Sequence, residues 1–275
     1  DEAIVHADYQ RRSALWEADC AARALADYHG KVILMKGTAY VAAALDAGRG
    51  RSIGDLDIMV AEGGLKDAET MLLAAGWEWV KEDAYDDAYY RDHMHELPPL
   101  IHKERDRMID VHHTILPRTA KPRPNAAAMI DDAWIVQDKL YTLSPEDMVI
   151  HCAAHMLADG DLAGGMRNLW DFHCLVSEFS GLDVRFWKML EARAKDHDLL
   201  AAVQRAARLA HALYGTEIPA DWPQWSRQDK WYRLRITARD GWGRKTRKAI
   251  RLILYIRSHL LRMPPLMLAR HLWTK

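Results

Sequence analysis

Cysteine is scarce: the 275-residue chain holds three, Cys20, Cys152 and Cys174, far apart and with no Cys-x-x-Cys pair. That odd, scattered set argues against a disulfide framework and for a reducing compartment in which the thiols serve as small core residues. No apolar run reaches the roughly 18 residues of a spanning helix. The opening residues, DEAIVHADYQ, carry acids and no apolar stretch. Neither a transmembrane segment nor a signal peptide is therefore expected here, and the expected location is cytoplasmic. Low-complexity tracts and internal repeats are missing too. What remains is ordinary globular material, 49% hydrophobic, long enough for one large domain or two modest ones.

The formal net charge of -1 conceals a polarity. Residues 226–275 hold 14 Lys and Arg against 2 Asp and Glu, a net of +12, which leaves -13 for the rest. Such an imbalance points to an anionic partner for the tail, or to docking of the tail on its own acidic body. Within RKTRKAIRLILYIRSHLLR, Arg244, Lys248, Arg251, Tyr255, Ser258 and Arg262 fall at spacings of four and three, one polar and mostly basic helical stripe. Residues 244–275 are open to three uses: a solvated face on a packed helix, an anionic membrane surface, or RNA or another anionic acceptor.

Along the chain, residues 3–29 are Ala-rich at helical spacing, KVILM (31–35) is a short buried strand, and 38–48 is a helix stopped by glycines. DLDIMV (55–60) is a second strand and 65–76 an amphipathic helix. WEWVKE, AYYRD, HELPPLIHK and RMIDVHH then read as a run of strands. This is an α/β or α+β sheet domain ending near 115, followed by a Pro-rich loop and a connector to about 143. SPEDMV opens a helix, with Ser144 as N-cap, Pro145 in the first turn and Asp147 at the third position. Helices are expected at 145–158, 165–180, 183–196, 198–214 and 244–262. The predicted division is a sheet domain over 1–143 and a helical domain over 144–275.

RSIGDLDIMV raises the chemical question. Positions i and i+2 of a strand share a face about 7 Å apart, so Asp55 and Asp57 project together. Two ionised carboxylates so placed repel each other and are costly to desolvate without a cation between them. Mg²⁺, with oxygen ligands and room for substrate phosphates, fits that need, and Mn²⁺ is a substitute. Asp110 lies inside another apolar strand; if the two strands pair, its carboxylate joins the site. Three acids on adjacent strands suit a two-metal attack on phosphorus.

The ordered set LMKGTAYVAAAL, GRGRSIGDLDIMV, HMHELPPL and MIDVHH resembles the nucleotidyltransferase superfamily related to DNA polymerase β, in its poorly characterised branch with KG, R, D-x-D and (D/E)-x-H signatures. The likeness covers about residues 30–180. It implies an α+β fold, with a polymerase β-like mixed sheet flanked by helices ahead of an all-helical domain, and a nucleotide held between the two. It implies that Asp55, Asp57 and Asp110 are the metal-binding and catalytic carboxylates. Gly37 and Thr38 stand where the superfamily has Gly-Ser at a helix start, a place suited to a triphosphate. Lys36 and Arg51 are candidate phosphate ligands.

Five of the 14 histidines fall between 93 and 113. With no cysteine beside them and no HExxH, zinc is not the favoured reading. His112 shares the strand face of Asp110 and is a candidate for orienting phosphate or acceptor. His151 and His155 lie one helical turn apart, and Asp171 either anchors its helix through Arg or His or faces the cleft.

The function expected is Mg²⁺-dependent transfer of a nucleoside monophosphate from a nucleoside triphosphate, ATP among them, with release of pyrophosphate. The acceptor is a small molecule, a peptide or protein side chain, or an RNA end. Two rivals stand beside it. One is a tailoring enzyme on the same fold that moves another group, such as a sugar from a nucleotide-sugar to a peptide. The other is a non-catalytic module that binds RNA or another anion through the basic tail.

Overall fold

In the computed structural model, which describes residues 2–262 apart from 82, 160, 161 and 163, the Ala-rich opening forms α1 (Glu2–Ala24) and buries Ala14, Ala18, Cys20 and Ala21. The chain then runs β1 (Val32–Leu34), α2 (Lys36–Ala42), β2 (Leu56–Met59), α3 (Leu65–Ala74) and β3 (Trp77–Trp79). It continues through α4 (Ala84–His93), β4 (Leu100–His102), β5 (Met108–His112), α5 (Ala126–Asp131), β6 (Trp134–Gln137) and β7 (Leu140–Thr142). The seven strands make one mixed sheet in the order β3-β4-β5-β2-β1-β7-β6. This is the α+β architecture expected of a nucleotidyltransferase fold. β1 and β2 are wholly buried in the middle of the sheet, with Asp57 the one charged residue among them.

Several elements differ from expectation. AYYRD, read as a strand, lies in α4: the Asp83 carboxylate accepts from the Tyr85 and Asp86 amides, both at 3.0 Å, and that N-cap overrides the β preference of the tyrosines. The helix foreseen over 38–48 ends at Ala42; Ala44 takes φ +56° and a 3₁₀ turn follows at Asp46–Gly48. The supposed connector carries α5 and the β6–β7 hairpin.

Two compact units emerge, one of residues 1–118 and 125–148, the other of 119–124 and 149 onward, the division falling inside α6 (Pro145–Ala154). Ser144 caps that helix, its hydroxyl accepting from the Asp147 amide at 3.3 Å. A π turn at His155–Asp159 follows, then α7 (Gly165–Leu182), α8 (Phe186–Asp196), α9 (Leu200–Tyr214), α10 (Asp229–Ile236) and α11 (Lys248–Arg262). α7 packs on α9, and Leu169, Phe172, Leu175 and Val176 of the one and Val203, Ala206, Ala207 and Ala210 of the other have no exposure. Asp171 is held by Arg167 one turn earlier, at 2.9 Å.

α10 was not foreseen, and two of its charged residues, Asp229 and Arg235, are inside. Asp229 has no exposure and accepts from Arg205 at 3.0 Å and Arg208 at 2.7 Å. α11 is also turned differently from the polar stripe. Ser258 is fully buried with Ile250 and Leu254, its hydroxyl satisfied by the Tyr255 carbonyl at 2.8 Å. Leu252, Ile253, Ile256 and Leu260 are exposed alongside Lys248 and Tyr255 of the stripe. The tail beyond residue 262 lies outside the described residues, and no described helix is long and apolar enough to cross a membrane.

Candidate active site

β2 and β5 pair in parallel with Asp57 directly opposite Asp110. Asp55 stands two residues before Asp57, on the same face by the strand's two-residue period. The three carboxylates offer oxygens that all lie within 4.8 Å of one another. They are not equivalent. Asp55 is exposed, Asp110 half-buried, and Asp57 only 4% exposed.

Asp57 has local company. Its Oδ1 takes Lys36 Nζ at 2.5 Å and His112 Nε2 at 3.0 Å. An ionised carboxylate only accepts, so the Nε2 nitrogen bears the proton in this contact. Burial opposes the charge on Asp57, but Lys36 and His112 outweigh it and hold its pKa well below the ordinary carboxylate range. Burial likewise opposes the Lys36 ammonium, and Asp57 more than compensates, so its pKa is raised. Asp110 goes the other way. Burial first, then the charges of Glu96 and Asp57, push its pKa up to about 7, with His112 offsetting only part. A neighbouring pair split between a firmly ionised acid and one that titrates near neutrality is the arrangement acid–base chemistry uses.

Lys36 reaches Asp57 from a backbone at φ +48°, a region that costs a non-glycine residue about 1–3 kcal/mol and is kept where the surroundings impose it. A Cβ on the next residue, Gly37, would lie 2.4 Å from Arg51 Nε, so any larger residue would displace the Arg51 side chain. Arg51 lies over that gap with its guanidinium 5.7 Å from the Tyr40 ring centre. Gly37 therefore makes room for the Arg51 side chain. Thr38 is buried, 1% exposed, and shares with Asp55 the wall of a crevice of about 10 Å³.

The model of a family described as an uncharacterised nucleotidyltransferase matches residues 1–215. The chain belongs to this nucleotidyltransferase family. Comparison with curated proteins finds no match. Membership makes a transferase acting on a nucleotide the frame for the remaining residues.

Within that frame the structure adds Glu96, to which the sequence reading gave no role. It forms an isolated antiparallel bridge with His112 and sets its Oε2 3.4 Å from His112 Nδ1. His112 is thus held between two acids, Asp57 on one nitrogen and Glu96 on the other, with the His95 ring stacked on it at 5.2 Å. His95, Glu96 and His112 form a second group whose ligand atoms lie within 4.8 Å of one another. The phenol of Tyr90 feels the same acids: burial, then Glu96 and Asp110, raise its pKa. Glu96 had one faint signal, its place in HMHEL two residues before a Pro-Pro pair, where a lone bridge leaves no strand pattern to read. The other histidines of the segment have structural work: His102 meets the Trp77 ring edge-on at 4.8 Å, and His113 Nε2 lies 3.3 Å from the Met94 carbonyl.

The donor set suits a hard divalent cation: three carboxylates from two paired strands, one open to solvent and one, Asp110, whose ionisation is opposed by burial and by the charges of Glu96 and Asp57. The Lys36 ammonium pairs directly with Asp57, and the charges of Glu96 and Asp55 act on it from farther away.

Proposed function

We propose that this chain is a Mg²⁺-dependent nucleotidyltransferase, moving a nucleoside monophosphate from a nucleoside triphosphate to a hydroxyl or phosphate of an acceptor and releasing pyrophosphate. The observation that carries the reading is the convergence of Asp55, Asp57 and Asp110 on adjacent positions of paired strands. Asp55, Asp57 and Asp110 would hold the cation; when bound, it supplies charge compensation for the phosphates and acidifies an acceptor hydroxyl. The chain's own residues divide the rest. Asp110, directly opposite Asp57 on the paired strand, takes the proton of the attacking hydroxyl as general base. Lys36 presents an ammonium beside Asp57 for a phosphate oxygen, and Arg51 a planar fork over Gly37. His112 keeps the Asp57 carboxylate aimed, with Glu96 behind it. Thr38 and Gly37 shape the wall.

The test is thermal stability with each of the four nucleoside triphosphates and Mg²⁺, wild type against Asp55→Ala/Asp57→Ala. A ligand at 100 times its Kd stabilises a fold by about 2.7 kcal/mol. The expected result is a Mg²⁺-dependent rise with at least one triphosphate that the double variant loses. No rise with any triphosphate, together with one for a nucleotide-sugar, would overturn nucleotidyl transfer in favour of glycosyl transfer.

A further inference from the structure

His95, Glu96 and His112 make a second cluster of donors beside the three aspartates. β5 supplies His112, and the stretch between α4 and β4 supplies the other two. Backbone hydrogen bonds lay that stretch along β5: the Leu97 amide donates to the Val111 carbonyl and the His113 amide to the His95 carbonyl, both at 2.9 Å. Glu96 and His112 are cross-strand partners in the bridge, so their side chains stand on one face. The His95 ring stacks on that of His112. The donors are thus fixed by backbone and packing, and they lie largely out of water. His112 is 1% exposed, His95 9%, and Glu96 is half-buried.

The distances inside the cluster are those of ligands rather than of hydrogen bonds. Glu96 Oε2 lies 3.4 Å from His112 Nδ1 and 3.7 Å from His95 Nε2. A charge-assisted N–H···O bond closes to about 2.7–2.9 Å, and His112 Nδ1 makes no hydrogen bond. Ligand atoms at about 2.0–2.2 Å from a tetrahedral zinc ion stand about 3.4 Å apart. The protons agree with that spacing. His112 Nε2 gives its proton to the contact with Asp57 at 3.0 Å, so in the neutral ring Nδ1 is a lone pair set against those of a carboxylate. A proton there would draw the pair into a hydrogen bond; a metal ion would leave it at the distance observed. The Asp57–His112 contact is itself the outer half of a carboxylate–histidine–metal arrangement, in which a ligating imidazole donates its other N–H to an acid. Glu96 and His95 have further interactions of their own. Metal ligands ordinarily do, since such contacts aim them.

We propose that His95 Nε2, Glu96 Oε2 and His112 Nδ1 form a second metal site, for a divalent transition ion of the zinc class, with the fourth position left to water. Two imidazoles and a carboxylate favour that class, whereas Asp55, Asp57 and Asp110 offer oxygen alone and favour Mg²⁺. Asp57 serves both, as a ligand in one and as the orienting acid in the other. The lack of a nearby cysteine and of HExxH, which counted against zinc in the sequence, does not bear on this set, because its ligands are gathered by a strand and a lone bridge. The site stands whichever group the protein transfers.

The experiment is Zn²⁺ binding to the untagged full chain, measured by competition with a chromophoric chelator in a large excess of Mg²⁺, together with the visible spectrum of the Co²⁺-loaded protein. Wild type is compared with His95→Gln, Glu96→Gln and Asp55→Ala, and circular dichroism checks that each folds. Asp55 is exposed and outside the cluster. Expected is one Zn²⁺ per chain that Mg²⁺ does not displace, its affinity falling about tenfold or more in His95→Gln and in Glu96→Gln and unchanged in Asp55→Ala. The Co²⁺ spectrum should have tetrahedral intensity and lose it in the two cluster variants. No Zn²⁺ retained against Mg²⁺, wild-type affinity in either cluster variant, or loss in Asp55→Ala instead would each overturn the proposal.

Discussion

Asp110 and Asp57 are the same side chain at the same height of two paired strands, and their surroundings drive them apart: Lys36 and His112 hold one ionised, Glu96 and burial keep the other protonated to about pH 7. The sign of the resulting pH dependence follows. Asp110 binds its proton more tightly folded than unfolded, where its pKa is about 3.9. Its contribution to stability is complete below about pH 4 and lost as the pH rises through about 7. In EDTA at pH 8, Asp110→Asn should therefore melt higher than wild type, by about 2–4 °C for a gain of order 1 kcal/mol in a chain this size; assayed with Mg²⁺, it should lose transfer activity. A melting series from pH 4 to 8 measures it; a wild-type curve parallel to that of the variant would contradict the assignment. Glu96→Gln removes one of the charges that hold Asp110 protonated. The acidic limb of the pH–activity profile should then move down by roughly one unit or less. If Glu96 only supported the fold, stability would change and the profile would stay where it is.

At the scale of elements, the legible features were local ones. Asp55 and Asp57 could be read because strand periodicity alone puts them on one face, and Ser144 because a cap and its amide lie three residues apart. The partner of β2 depended on an apolar strand fifty residues on, whose alternation showed Asp110 but not its register. What escaped is instructive about burial. β6 shows no inward face, with Trp134 and Ile135 about 60% exposed, so its period was silent. α10 escaped because its buried positions include Asp229 and Arg235, and charge inside a helix reads as surface until its partners are known. That cluster also makes a prediction. Burial opposes ionisation of Asp229, but Arg208, the Ser226 amide and Arg205 lower its pKa to about 2. Its stabilisation is present above about pH 4 and lost as the pH falls toward 2. Asp229→Asn leaves two arginines without their acid and should cost about 3–5 kcal/mol in urea unfolding at pH 7, with the difference from wild type shrinking in acid.

Over the whole molecule the net charge of -1 conveys little, because the basic segment 226–275 and the acidic remainder nearly cancel. A polyanion samples local field rather than the total. The protein should therefore be retained on a heparin matrix at low salt despite its net charge, and Lys245→Glu/Arg251→Glu should elute at distinctly lower salt. Co-elution of the two would place the attraction elsewhere in the segment. The sheet order has a consequence in time as well as in space. β1 is flanked on one side by β2 and on the other by β7, a strand that the chain supplies only at residues 140–142. During synthesis the acids of β2 and β5 can meet as soon as β5 has emerged, while the outer edge of Val32, Ile33 and Leu34 still lacks its neighbour. An open apolar edge invites pairing with another chain. The interval between the emergence of His112 and that of Thr142 is thus the period in which the nascent protein is most exposed to aggregation, and ribosome stalling there should recruit chaperones more than stalling before or after it.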